Sequence, residues 1–372
     1  MIPLQRNKAL TNFNWFLLLC LIILTILGVV NLYSASSLQM DHGLTTAFYY
    51  QKQIYWSLLG FVVLPLLFLL DYRHIKSLVW PVYGLSLALL VYVLFLGTTV
   101  SGATRWIDLG YINFQPSKLA EMSVILLCAA FLSRIAGPVG WKELGKILLL
   151  AGLPATLVLM QPDLGSALLI LMVAGGIVLF KGIDRRVLLT LLIIIPMLAP
   201  GAWFALEDYK KERVYSFIQP EQEPLGSGYT AIQSQIAVGS GQFWGKGFLE
   251  GTQGQMRFLP SKHTDFVFSI YGEEWGFVGS FILISLFCLF LYQIALVAGT
   301  AKDPFGAFLA CGVFFSFFWQ ILVNLSMVLG LMPVVGIPLP FFSYGGTSTL
   351  INFIMLGLVF SISMRRYFFT QE

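Results

Sequence analysis

The feature that most constrains this chain is its shortage of charge. Ten apolar stretches follow one another with too few charged residues between them to build a water-facing surface. Of 372 residues, 58% are hydrophobic and 11% are charged, against about 25% charged in a soluble domain. Lipid must therefore cover most of the molecule. Aromatic residues make up 15%, in keeping with Trp and Tyr at bilayer interfaces. The expected fold is an all-α polytopic membrane protein of about ten transmembrane helices, forming a single integral membrane domain over residues 1–372.

Apolar runs of spanning length fall near Trp15–Tyr33, Ile54–Leu70, Leu78–Leu96, Leu119–Leu132, Ile147–Met160, Ala167–Phe180 and Val187–Ala205. Three more follow near Trp275–Val297, Phe305–Leu331 and Thr349–Met364. The first run follows Arg6 and Lys8 and also resembles a signal peptide, with Ser34, Ala35 and Ser36 as small residues after it. The fifth and sixth runs are parted only by Gln161-Pro162-Asp163-Leu164-Gly165, so a re-entrant pair is the alternative to two tightly joined spans.

With the N-terminus inside, the short cytoplasmic segments hold thirteen bases: Arg6, Lys8, Arg73, Lys76, Arg134, Lys142, Lys146, Lys181, Arg185, Arg186, Lys302, Arg365 and Arg366. The short outer loops hold three, Lys52, Arg105 and Lys118. That asymmetry places both termini in the cytoplasm. It also puts the one long polar segment, about 206–264 between the seventh and eighth spans, on the outer side. Within it, Tyr229 to Val238 reads as a short amphipathic helix with Ile232, Ile236 and Val238 on its apolar side. Cys20, Cys128, Cys288 and Cys311 all lie in apolar runs, which reads as packing rather than a disulfide or metal framework.

Polar residues collect where the even-numbered spans begin, on the outer side. The segments are Gln51-Lys52-Gln53, Gln115-Pro116-Ser117-Lys118, Gln161-Pro162-Asp163, Lys262-His263-Thr264-Asp265 and Ser343-Tyr344-Gly345-Gly346-Thr347-Ser348. A helix start offers unpaired N–H groups and about half a positive charge, which suits an anion. Several together, with Lys52, Arg105 and Lys118 nearby, suit a phosphate or pyrophosphate; Pro and cap residues at ordinary helix starts are the plainer explanation. Asp265 stands between a basic polar tripeptide and Phe266-Val267-Phe268. Partial burial there raises a carboxylate toward a useful base while Lys262 holds it ionised; an N-cap is the alternative. Glu273 and Glu274 precede the eighth span and read as interfacial or functional. Lys118 and Glu121 share one helical face and read as a pair.

The chain resembles the SEDS family (shape, elongation, division and sporulation) over nearly its whole length. The resemblance rests on Asn324, Gly330, Pro333, Gly336 and Phe342-Ser343-Tyr344-Gly345-Gly346-Thr347-Ser348, and on Phe258-Leu259-Pro260 with His263-Thr264-Asp265-Phe266. Also similar are Ile232-Gln233-Ser234, Gly239-Ser240-Gly241, Gly245-Lys246-Gly247, Gln161-Pro162-Asp163-Leu164-Gly165 and Arg105-Trp106. Gly251-Thr252-Gln253 is closer to the RodA branch than to the FtsW branch.

The resemblance implies a peptidoglycan glycosyltransferase of the bacterial cytoplasmic membrane that polymerises lipid II on its outer face during elongation. Its partners would be lipid II, the lipid-linked nascent glycan, a class B penicillin-binding protein and the elongation machinery. A divalent cation, Mg or Mn, is implicated with ligands unassigned, and Asp265 is the implied essential carboxylate. The candidate substrate-binding set is Lys52, Arg105, Lys118, Glu121, Gln161, Asp163, Gln233, Lys246, Lys262, His263, Thr264, Ser343, Gly345 and Gly346. Three departures stand out: Lys118 precedes Glu121 where relatives have Glu then Lys, Ser261 stands where relatives carry Glu, and Lys52 replaces an Arg. A flippase or transporter of lipid-linked precursor and a scaffold for a synthase are the competing classes; a transporter should carry polar motifs on both faces.

Overall fold

In hydrocarbon a backbone N–H or C=O finds no partner outside its own segment, so a long apolar run is stable only with its hydrogen bonds closed internally. The computed structural model describes residues 13–37, 49–100, 103–108, 110, 113–205, 208–219, 227–252 and 262–365. Each apolar run falls in a helix: α1 (Trp15–Ser37), α2 (Tyr49–Leu69), α3 (Tyr72–Leu96), α4 (Pro116–Leu132), α5 (Trp141–Leu159), α6 (Leu164–Lys181) and α7 (Arg185–Ala205). After α8 (Asp208–Ile218) and α9 (Ser227–Ser240) come α10 (Val267–Gly299), α11 (Pro304–Val328) and α12 (Gly346–Arg365). Seven of them, α1, α2, α3, α6, α10, α11 and α12, are long and apolar enough to cross a membrane, judged on the described residues.

The chain is not wholly helical. Three short antiparallel strands, β1 (Thr98–Val100), β2 (Ala103–Asp108) and β3 (Asn113–Phe114), join α3 to α4. Thr98, Thr99, Val100, Trp106 and Ile107 are β-branched or aromatic and suit a pleated ribbon. This ribbon carries Arg105.

Close packing sets the helix positions. A Cβ on Gly60 of α2 would stand 2.2 Å from the Phe353 ring of α12, and one on Gly357 would stand 2.7 Å from Leu67. Small residues of this kind let membrane helices approach closely. Beside that pair, Phe341 adopts φ +62° yet is buried against the rings of Phe290, Phe317 and Phe353. A left-handed Phe costs of order 1–3 kcal/mol, and this aromatic packing offsets it while fixing the approach to Ser343-Tyr344.

Three local expectations change. The helix of the eighth predicted span, α10, starts at Val267, eight residues before that span, so it contains Glu273 and Glu274, both buried. Glu273 accepts from Lys246 Nζ at 2.6 Å and from Thr252 N at 2.7 Å, and Glu274 accepts from Ser34 Oγ. Those partners make burial tolerable. A left-handed Gly276 (φ +63°) then kinks α10 where Gly245 packs into it. The predicted helix of the long segment exists as α9, but it turns Thr230, Ser234 and Ala237 inward and leaves Ile236 exposed. Its hydroxyls are satisfied on docking, since Ser234 Oγ donates to Val328 O at 2.8 Å and lies 2.8 Å from Ser269 Oγ. Finally, Cys288 is exposed on α10, unlike Cys20, Cys128 and Cys311, which are buried.

Candidate functional site

Successive helices reverse direction, so α2, α4, α6, α10 and α12 begin at the same end of the bundle. Side chains of their first turns tie those starts together. Gln53 of α2 accepts from Gly345 N at 3.2 Å and donates to Thr349 Oγ1 at 3.0 Å. Gln115, capping α4 ahead of Pro116, takes Thr347 Oγ1 at 3.3 Å through its backbone N–H. Its side-chain amide donates to Asp163 Oδ2 at 3.2 Å. Tyr344 N donates to His263 O at 2.9 Å, and the Tyr49 ring stacks on His263 at 4.6 Å. All five polar segments singled out in the sequence thus meet at one end.

Asp265 sits in the turn before α10, half-buried. Asn324 Nδ2 donates to its carbonyl at 2.8 Å and to Ile337 O at 2.7 Å, holding the turn against the segment after α11. Gly336, at φ +76°, borders the carboxylate: a Cβ there would stand 3.5 Å from Asp265 Oδ2, in ordinary van der Waals contact. Burial pushes the Asp265 carboxyl up to about 6, and Asp163 adds to the rise. Arg105, the hydrogen bond with Thr264 and Arg213 pull the other way. The ionising partners are therefore two guanidiniums from distant segments rather than the expected Lys262. His263 is held down at about 4 by burial and by Lys262, so it is neutral near pH 7.

Asp163 is the N-cap of α6. Its Oδ1 accepts from Ser166 N at 3.1 Å and its Oδ2 from Ser166 Oγ at 2.8 Å. Arg105 Nη1 lies 3.8 Å from the same Oδ2. Asp163 is thus a helix cap that also pairs with Arg105. Buried polar atoms left without a partner among the described residues include Arg105 Nε, Trp106 Nε1, His263 Nδ1 and Asn324 Oδ1, all at this end.

The other predicted residues are spread more widely. Lys118 and Glu121 are buried and paired at 3.2 Å, with Ser316 and Gln320 completing the carboxylate's shell. Gln161 donates to Leu90 O at 2.9 Å and joins α5 to α3. Lys246 belongs to the Glu273 cluster. Gln233 is half-buried on α9, and Lys52 is exposed on α2. Lys262 is buried beside His263. Ser343 closes its own loop, accepting from Leu339 N at 2.8 Å, and Gly346 admits the Trp56 ring.

Sequence reasoning missed Arg213 of α8. It lies in the charged run Lys210-Lys211-Glu212-Arg213 of the long polar segment, from which no site residue was expected. Only its placement against Asp265 marks it.

Residues 14–367 match the FtsW/RodA/SpoVE family, described as cell cycle protein. The chain is 36% identical over 351 residues to the peptidoglycan glycosyltransferase MrdB of Escherichia coli K12, covering 94% of this chain and 93% of that protein. It is 30% identical over 434 residues to the peptidoglycan glycosyltransferase RodA of Treponema pallidum, covering 97% and 100%. Among solved structures, a peptidoglycan synthase complex that coordinates polymerization and crosslinking aligns with TM-score 0.82 at 33% identity, over 96% of this chain and 99% of that one. The rod shape determining protein RodA of Thermus thermophilus aligns with TM-score 0.69 at 30% identity, over 95% and 98%.

Proposed function

This chain belongs to the FtsW/RodA/SpoVE family and is a membrane-embedded peptidoglycan glycosyltransferase, and from that premise we propose that Asp265 is its general base on lipid II. The observation that carries the assignment is a half-buried carboxyl raised to about 6 at the meeting point of five helix starts. A base works best with a pKa near the working pH.

In the proposed reaction Asp265 takes the proton of the acceptor sugar's 4-hydroxyl. The freed oxygen attacks the donor's anomeric carbon as the bond to the diphosphate oxygen breaks, its electron pair leaving on the undecaprenyl diphosphate. Attack from the opposite face inverts the configuration. Arg105 stabilises the charge that grows on the leaving group. The excess of bases at the end opposite Asp265 supports an outward-facing site with both termini in the cytoplasm of a bacterial inner membrane. The likeness to a synthase complex supports a class B penicillin-binding protein as partner within the elongation machinery.

A divalent cation, Mg or Mn, is proposed only as a companion of the substrate's diphosphate. Among the described residues no three His, Cys, Asp or Glu side chains gather as a ligand set. Asp163, which faces Asp265, spends both oxygens on Ser166, Gln115 and Arg105. No step here runs through the ion. The test is strand formation from labelled lipid II by the complex with its class B partner, with and without chelator, for native protein and Asp265→Asn. Strands from the native protein alone support the assignment.

A further inference from the structure

Three arginines of this protein are placed differently. Arg365 is tied down, donating to Phe68 O at 3.0 Å, Leu69 O at 2.9 Å and Ser361 Oγ at 2.7 Å, with Asp71 beside it. Arg105 is held by Asp163. Arg213 makes one hydrogen bond among the described residues, from Nη1 to Val334 O at 3.3 Å. A guanidinium has five N–H donors, so most of this fork is uncommitted among the described residues, and a neutral carbonyl neutralises none of its charge.

Its position is specific. Val334 lies two residues before Gly336, which borders the Asp265 carboxylate. Two residues of chain span at most about 7 Å, so Arg213 and Asp265 both border one short segment. Arg105 approaches the same carboxylate from β2, with its Nε buried and without a partner among the described residues. Asp265 is thus flanked by guanidiniums from α8 and β2, and by Asp163, Thr264 and the Lys262–His263 pair.

We propose that Arg213, together with Arg105, binds the diphosphate of the lipid-linked donor and takes up its leaving charge. This deepens the reading of the chain as a lipid II polymerase with Asp265 as base, and rests on it. Before reaction Arg213 is, after Arg105 and the Thr264 hydrogen bond, a further influence that favours the ionised Asp265 carboxylate. When Asp265 takes the hydroxyl proton it becomes neutral, while the departing diphosphate gains the electron pair of the broken bond. The charge that faced Arg213 moves from carboxylate to diphosphate within one step, and a fork of free donors is already in place to receive it. The proton returns to water or to the diphosphate once the product leaves.

The test compares native, Arg213→Gln and Arg213→Lys proteins, each purified with the class B partner and checked for equal melting temperature. Initial rates on labelled lipid II are measured across pH 5–9 and with added undecaprenyl diphosphate. Removing a preorganised donor from a developing oxyanion lowers kcat by about 100- to 1000-fold, and that loss is expected for Arg213→Gln. Weaker inhibition by undecaprenyl diphosphate and a limb of the pH profile moved to higher pH should accompany it. Arg213→Lys should restore the limb but only part of the rate, because it returns the charge without the fork. An unchanged limb and unchanged product inhibition would overturn the proposal even if the rate fell, since a structural role moves neither. Absence of strands from the native complex would instead strike the underlying reading of the activity.

Discussion

The two ends of the bundle use the same residue types for opposite purposes. At the end where α3 and α11 begin and α12 finishes, charges act as fasteners. Tyr72 Oη donates to Asp303, Arg73 stands 3.8 Å from Asp303, and Arg365 stands 3.7 Å from Asp71 while holding carbonyls at the end of α2. The charged groups are partly exposed, with 44% of the Arg73 side chain open. At the other end Arg and Asp recur, but Asp265 is raised by burial and, among the described residues, Arg213 keeps most of its donors free and several buried polar atoms lack partners. Where every charge is matched, the cluster can only hold. Where charge is desolvated and left incompletely matched, it can respond to a substrate.

The sharpest way to break this contrast is at Asp265. Asp265→Asn should lower strand formation by at least about 100- to 10,000-fold, the usual contribution of a general base, with partner binding intact. Next comes the buried pair of Lys118 and Glu121. Truncating Glu121 alone leaves an uncompensated buried ammonium, so Glu121→Ala should destabilise the protein by about 3–5 kcal/mol in a detergent melt. Replacing both residues with apolar ones of similar volume should recover most of that loss. A polymerase assay on the recovered protein then shows whether the pair does more than hold α4 to α11.

A finer test is pH dependence. A base must be ionised, so activity should rise as pH increases through about 6, where burial holds the Asp265 carboxyl. His263 is held down at about 4 by burial and Lys262, so His263→Gln should leave that limb in place. A limb that vanishes with His263→Gln would move the titration to the imidazole. The smallest effect belongs to the fastening end. Arg73→Gln should change stability by less than about 1 kcal/mol, as expected of an exposed pair, and leave strand formation unchanged.

How much of this was readable in the sequence follows from how local each cause is. The helices were legible because apolar length is a local property, and so was the gathering of helix starts, since chain reversal places every second start on one side. The ribbon around Arg105 was hidden because its few β-prone residues do not outweigh the apolar background. The burial of Glu273 was hidden because its partners Lys246 and Thr252 lie more than twenty residues away. Arg213 was illegible for the same reason: its meaning comes from Val334 and Asp265, both distant in the chain. The resemblance marked Asp265 in the sequence, while the groups that tune it appear only in three dimensions.

The most direct measurement of the central claim is glycan polymerisation from labelled lipid II by the purified protein with its class B partner, native against Asp265→Asn. Long strands from the native complex and none from Asp265→Asn, at equal partner binding, is the expected result. Equal strand formation by both would contradict the assignment of Asp265 as the base.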